Sequence, residues 1–174
     1  MIKKLAKTYL LKLHFFRRLH DDGYAQVGAR LLFLNFIFQR ILRNSADAPF
    51  SVNYKSTFVC ARNIEYGKFT AKSFAISPGL YIQGGNGVKF GSNVLLGPNV
   101  AIISSNHGLN NRSIWLYSAP VVIHDNVWVG ANSTILPGVT IGENTIVGAG
   151  SVVTKSFEKN LIVAGNPARI LRKM

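Results

Sequence analysis

Cysteine is nearly absent: Cys60 is the only one in 174 residues. That excludes an internal disulfide and any multi-cysteine zinc site, and it suits a reducing compartment. Acidic residues are scarce as well. Seven Asp and Glu stand against twenty Lys and Arg, and charged residues make up only 16% of the chain. With 48% hydrophobic residues, disorder is excluded, and the length suits one domain with an appendage. Long apolar runs are missing too. The longest, Leu31 to Gln39, lies between Arg30 and Arg40, well short of the roughly 20 residues a spanning helix needs. Met1-Ile2-Lys3-Lys4 looks like the start of a signal peptide. However, Lys12, Arg17 and Arg18 break the apolar stretch and no small-residue cleavage site follows, which argues against export by that route. The expectation is a cytoplasmic protein that does not cross the membrane.

The net charge is +13, unevenly spread. Residues 1–43 carry nine Lys and Arg against Asp21 and Asp22. Such a balance favours anionic partners without choosing among them. No nucleic-acid motif accompanies it, so nucleic acid is set aside. A basic, amphipathic start suits peripheral contact with an anionic membrane at its inner face. It equally suits a cap on the remainder of the fold.

Residues 1–43 read as helical. Ile2, Leu5, Tyr9, Leu13 and Phe16 recur at steps of three and four. Asp21-Asp22-Gly23 breaks the pattern. A second helix is expected from about Ala25 to Leu42, with Leu31, Leu34, Phe38 and Ile41 on one side. Asn44-Ser45 and Pro49 end it.

Beyond that point Val, Ile, Gly and Asn take over, and a repeat emerges. Ile123, Val129, Ile135, Ile141, Val147 and Val153 are spaced six apart without a slip. Four positions after each stand Val127, Ser133, Val139, Thr145, Ser151 and Phe157. The same period runs through Phe90, Leu96 and Ile102. Further back, at Gly84, Pro78, Lys72 and Tyr66, the apolar rule fails, so residues 50–87 read as degenerate early coils. A hexad supplies one short strand and one tight turn, with Asn93, Asn99, Asn126, Asn132 and Asn144 as turn residues. Three hexads close a triangular coil, and coils stack into a prism. The division is a helical segment 1–48 and a prism 49–174.

The period breaks once. Ile102 and Ile123 are 21 residues apart, so one hexad leaves fifteen residues over. A loop must leave the prism at about 103–120, carrying Ser104-Ser105-Asn106-His107. Excursions from rigid scaffolds are often functional.

Three segments, AIISSNHG (101–108), VWVGANSTILPGVTIGENTIVGAGSVVTK (127–155) and AGNPARIL (164–171), resemble the bacterial hexapeptide-repeat acyltransferases. Within that family the likeness is to maltose and galactoside acetyltransferases and to polysaccharide O-acetyltransferases. The resemblance implies an all-β, left-handed parallel β-helix with an N-terminal α-helical segment and a short C-terminal tail. It supplies the hand, which the spacing does not. It also implies a homotrimer with active sites between prisms, acetyl-CoA as co-substrate, no metal, and a sugar or glycan hydroxyl as acceptor.

His107 matches the family's general base. A neutral imidazole can take a proton from an attacking hydroxyl near working pH. The Ala131 N–H matches the donor to the thioester oxyanion, although relatives often carry Ser there. Ala149 and Thr154 match the pantetheine groove. Lys155, Arg169 and Arg172 match or adjoin the positions that meet the nucleotide phosphates. The sugar-binding Asn and Asp of the maltose and galactoside enzymes fall on Ser77 and Gly85, with Asn86 adjacent. That departure points toward the polysaccharide-modifying relatives.

Other readings stand beside these. His124, inside a regular hexad, is read as structural or groove-lining. Cys60 is read as a small buried hydrophobe, because no base accompanies it. Two other function classes use such a prism. One is a γ-carbonic-anhydrase-like metalloenzyme, which needs three converging histidines, whereas only His107 and His124 lie in the repeats. The other is a non-catalytic assembly protein.

Overall fold

The computed structural model of the chain describes residues 20–174. The first expected helix, with Ile2 to Phe16, lies outside the described residues. No helix among the described residues is long and apolar enough to cross a membrane.

The repeats form a left-handed prism with three parallel faces. Face A stacks Thr57–Val59, Tyr81–Gln83, Ala101–Ile103, Thr134–Ile135 and Val152–Val153. Face B stacks Ile64–Tyr66, Val88–Phe90, Val121–Ile123 and Thr140–Ile141. Face C stacks Leu95–Leu96, Trp128–Val129, Ile146–Val147 and Leu161–Gly165. In the regular coils Thr134 pairs with Val152 and Trp128 with Ile146, each partner 18 residues on. Across the break Ala101 pairs with Thr134, 33 residues on. The difference is the fifteen-residue surplus expected from the spacing.

Two side chains per hexad point inward. Ile123 and Val127, Ile135 and Val139, Ile141 and Thr145, Val147 and Ser151 are all buried. Each fully buried Val or Ile contributes roughly 1.5–3 kcal/mol relative to exposure. The hydroxyls among them are satisfied locally. Ser133 and Ser151 both donate to the Gly148 carbonyl, and Thr145 donates to that of Glu158.

The corners divide their work between two residue types. Asn takes the left-handed backbone, with φ of 57 to 59° at Asn93, Asn99, Asn126, Asn132 and Asn144. Its short amide tolerates that region better than most side chains. Glycine serves closeness instead. A Cβ on Gly130 would sit 2.5 Å from the Ala149 nitrogen and 2.9 Å from its Cα, so the stacked coils leave room only for hydrogen.

The first coil departs from the rule where the apolar positions fail. A short helix, Ala71–Ile76, takes the place of a strand beneath face C. Its hydroxyls join it to the coil above: Ser73 Oγ donates to Val94 O and Ser77 Oγ to Leu96 O. Phe74 lies at its centre, fully buried, with Phe50, Phe58 and Phe90 at ring distances of 4.9 to 5.3 Å. These rings plug the wide end of the prism.

The second expected helix is shorter than Ala25 to Leu42. We call Ala29–Phe36 α1; it runs on into a single π turn, Ile37–Ile41. Its buried residues are Asn35 and Gln39, whereas Ile41 is 64% exposed. The reason is the irregular chain at 48–54, whose backbone has no ladder to join. Asn35 donates to Ala75 O and accepts from Tyr54 N. Gln39 donates to Ala48 O and Phe50 O and accepts from Val52 N. The expected C-terminal tail is also structured. Ala168–Lys173 folds back antiparallel onto Leu161–Gly165 and covers that strand's outer edge.

Candidate functional site

The chain leaves the prism after Ile103, at the corner between faces A and B, and rejoins at Val121. Its ends are tied by two amides. Gln83 Oε1 accepts from the N–H groups of Ser104 and Ser105 at 3.1 and 2.8 Å. Asn86 Nδ2 donates to Ser104 O at 2.9 Å and to Leu116 O at 2.8 Å, and lies 3.0 Å from Ser118 Oγ. The Asn86 backbone N–H donates to Ser104 Oγ. Asn86 therefore holds the outgoing and returning limbs together, and its amide nitrogen is committed to them. Between the limbs, Asn106–His107 pairs antiparallel with Trp115–Leu116, His107 directly opposite Trp115.

His107 is exposed on this hairpin, and its Nδ1 lies 2.5 Å from the Arg112 carbonyl oxygen. A carbonyl can only accept, so in the bond Nδ1 is the donor. In the neutral ring the lone pair then sits on Nε2, which is the form a general base needs. The orienting group is this backbone carbonyl. Trp115 meets the imidazole edge-on, with centroids 6.1 Å apart.

Of the other acceptor-side residues, Gly85 adjoins the excursion. Its Cα lies against Ser105 and the Trp115 ring. Ser77 does not open onto this site: it is buried, and its hydroxyl bonds Leu96 O.

The residues expected to meet the acyl donor are divided between the excursion's own corner, a second corner and the final strand. Ala131 and Ala149 lie on successive coils at the corner between faces C and A. The Ala131 N–H is taken by no acceptor among the described residues. Thr154 and Lys155 are exposed above the excursion, at the A/B corner, with the Lys155 ammonium 5.9 Å from the Phe157 ring centre. Arg169 and Arg172 are exposed on the final strand, and neither has an acidic partner among the described residues. The width of face A thus separates the Ala131 corner from His107 within one chain.

His124 is exposed at a regular corner, in a groove with Glu143, Glu158 and Lys159. Cys60 is half-buried in a left-handed corner rather than in the core. Among the described residues no three His, Cys, Asp or Glu side chains gather as a metal site would require. Gln83, Ser105, Arg112 and Trp115 were not foreseen from the sequence. Only Trp115 carried a signal, as a large aromatic inside the one break in the period.

A family model described as bacterial transferase hexapeptide (six repeats) matches residues 120–155. Galactoside O-acetyltransferase of Escherichia coli K12 is 33% identical over 154 residues, which is 86% of this chain and 71% of that protein. An E. coli K12 protein with the provisional name lipopolysaccharide biosynthesis O-acetyl transferase WbbJ is 33% identical over 99% of this chain and 94% of its own length. The crystal structure of the hexapeptide-repeat containing acetyltransferase VCA0836 from Vibrio cholerae superposes with a TM-score of 0.52 at 27% identity. It covers 84% of this chain and 94% of that one.

The tie at Asn86 gives a direct expectation. Asn86→Ala removes at least two hydrogen bonds, each contributing about 0.5–1.5 kcal/mol. Amide hydrogen exchange across 104–118 should quicken by about tenfold or more, while exchange in the coils at 121–165 stays unchanged. Unaltered protection across 104–118 would show that Asn86 does not hold the excursion.

Proposed function

This chain belongs to the bacterial hexapeptide-repeat transferases, and from that membership we propose that it moves the acetyl group of acetyl-CoA onto a sugar hydroxyl, in a surface polysaccharide or its precursor. The observation that carries the chemistry is the bond from His107 Nδ1 to the Arg112 carbonyl, which leaves Nε2 to act as base. Nε2 takes the acceptor's hydroxyl proton as that oxygen attacks the thioester carbon. The C–S bond then breaks, and the imidazolium returns the proton to the departing thiolate. The Ala131 N–H holds the negative charge that develops on the carbonyl oxygen. Acetyl-CoA supplies the activated acyl group. Ala149 and Thr154 line its arm, and Lys155, Arg169 and Arg172 meet its phosphates.

The placement of these groups on separate corners supports a homotrimer in which a neighbouring prism brings its Ala131 corner to His107. An outward apolar stripe on face C supports the same assembly. There Trp128 pairs with Leu95 and Ile146, and Ile146 pairs with Ile162. Leu95 and Trp128 are 44% and 51% exposed in the single chain.

Peripheral contact with an anionic membrane is supported by the N-terminal segment. Phe33, Phe36, Ile41 and Leu42 are all exposed there, beside Arg30, Arg40 and Arg43. The acceptor would then be presented on a lipid carrier.

Four measurements test these readings. His107→Ala should lower turnover about 10²–10⁴-fold with acetyl-CoA affinity retained. Arg169→Ala and Arg172→Ala should do the reverse, weakening acetyl-CoA binding in calorimetry with less effect on turnover at saturation. Wild-type turnover in His107→Ala would remove the base assignment. Sedimentation equilibrium should return three chain masses, and a monomer with full activity would end the shared-site reading. Flotation of the full chain should occur with phosphatidylglycerol vesicles and be lost on Phe33→Ser/Phe36→Ser. Equal flotation of the two proteins would leave the exposed face to subunit packing.

A further inference from the structure

Position 85 is where the maltose and galactoside relatives place a carboxylate for their sugar, and here it is glycine. The structure shows what fills the space instead. A Cβ on Gly85 would lie 2.5 Å from Trp115 Cζ3 and 2.7 Å from Cε3, and would also meet Ser105 Oγ. The indole from the returning limb of the excursion therefore sits directly on the Gly85 backbone, and no side chain can stand there while it does.

Trp115 and His107 are direct partners across the antiparallel pair, so both side chains project from the same side of the hairpin. Their rings are 6.1 Å apart, and Trp115 keeps 43% of its surface exposed. In an edge-on pair that separation is contact, so an acceptor at His107 lies beside the two rings and not between them. An acceptor whose hydroxyl reaches His107 Nε2 must then lie against the indole. Beneath the indole edge, Ser105 Oγ is the only buried side-chain oxygen without a hydrogen-bond partner among the described residues.

We infer that Trp115, seated on Gly85, is the specificity-determining wall of the acceptor site, and that it selects a neutral pyranose by stacking on the sugar's apolar C–H face. Ser105 Oγ, closed off beneath that ring, makes no contact with the sugar and marks how tightly the indole is seated. The inference rests on the transfer to a sugar hydroxyl proposed above. An aromatic wall of this kind recognises ring shape and tolerates variation along a glycan, whereas a carboxylate fixes particular hydroxyls.

The test uses the full chain, acetyl-CoA and a panel of neutral methyl hexosides that includes methyl β-galactoside, with release of the CoA thiol as readout. Trp115→Ala should raise the KM for the acceptor about tenfold or more while leaving the KM for acetyl-CoA in place. Trp115→Phe should recover much of the loss. Gly85→Ala should also raise the acceptor KM, because its methyl displaces the indole. Gly85→Ala/Trp115→Ala should fall short of the sum of the two single losses, since the ring is gone and only the contact with Ser105 Oγ remains. Tyr117→Ala, on the same loop at 92% exposure, should match wild type. An unchanged acceptor KM in Trp115→Ala, or fully additive losses in the double variant, would overturn the wall. Failure of the wild-type chain to acetylate any hexoside in the panel would overturn the sugar acceptor itself, and the wall's role with it.

Discussion

The molecule depends on how closely its coils stack at the corners. Strand ladders set the spacing between neighbouring coils, and at Gly130 the backbone of Ala149 leaves no room for a Cβ. That single distance accounts for much of the sequence. It demands glycine after the inward apolar residue wherever the coil above comes closest. It passes the left-handed backbone to the Asn two positions later. It also brings those Asn amides into contact across coils, as at Asn93 with Asn126, Asn99 with Asn132 and Asn144 with Asn160. Inside, the regular coils hold mostly Val, Ile, Ser and Thr, and the cluster of edge-on and tilted aromatic rings gathers in the first coil, around Phe74.

At two places where the ladder stops, buried or half-buried side-chain amides take over its hydrogen bonds. Asn35 and Gln39 serve the irregular segment at 48–54. Gln83 and Asn86 serve the excursion. Buried backbone groups need partners whether or not a regular strand supplies them, and an amide offers donor and acceptor together. Such residues are polar, isolated and out of period. A search for apolar spacing passes over them. This is why the spacing of Leu31, Leu34, Phe38 and Ile41 drew attention in the second helix, while the residues it buries are Asn35 and Gln39.

The prism itself was readable because its constraint repeats. Six hexads in step from Ile123 to Val153, and a fifteen-residue surplus before them, located both the scaffold and the departure point of the loop. The hand and the chemistry came through resemblance, because spacing carries neither. The proposed base was legible as a residue, His107, but not as a geometry. Its partner is the carbonyl of Arg112, and a main-chain oxygen leaves no mark in a sequence. Gly85 stood out with Ser77 as a position that the resemblance gives to sugar binding, and Asn86 as its neighbour. What Gly85 and Asn86 do here, making room for an indole and tying two limbs, became visible only when Trp115 and Leu116 were brought back beside them.

These observations separate two kinds of information along the chain. The residues proposed for the acyl donor sit in or just beyond the regular coils, at Ala131, Ala149, Thr154 and the final strand, where stacking fixes the backbone whatever the side chains. Those proposed for the acceptor sit on the excursion and on the glycine it covers, where the period imposes nothing. A fold built this way can keep one acyl donor while its acceptor changes, because a substitution at Trp115 alters the hairpin without disturbing a single coil-to-coil pairing. The converse change is far harder. A side chain at Gly130 would push on the backbone of Ala149 and so on the ladder that positions every corner above it. The part of the function shared across the family is therefore written into the same residues that hold the prism together, and the part that distinguishes this chain is written where the prism is interrupted.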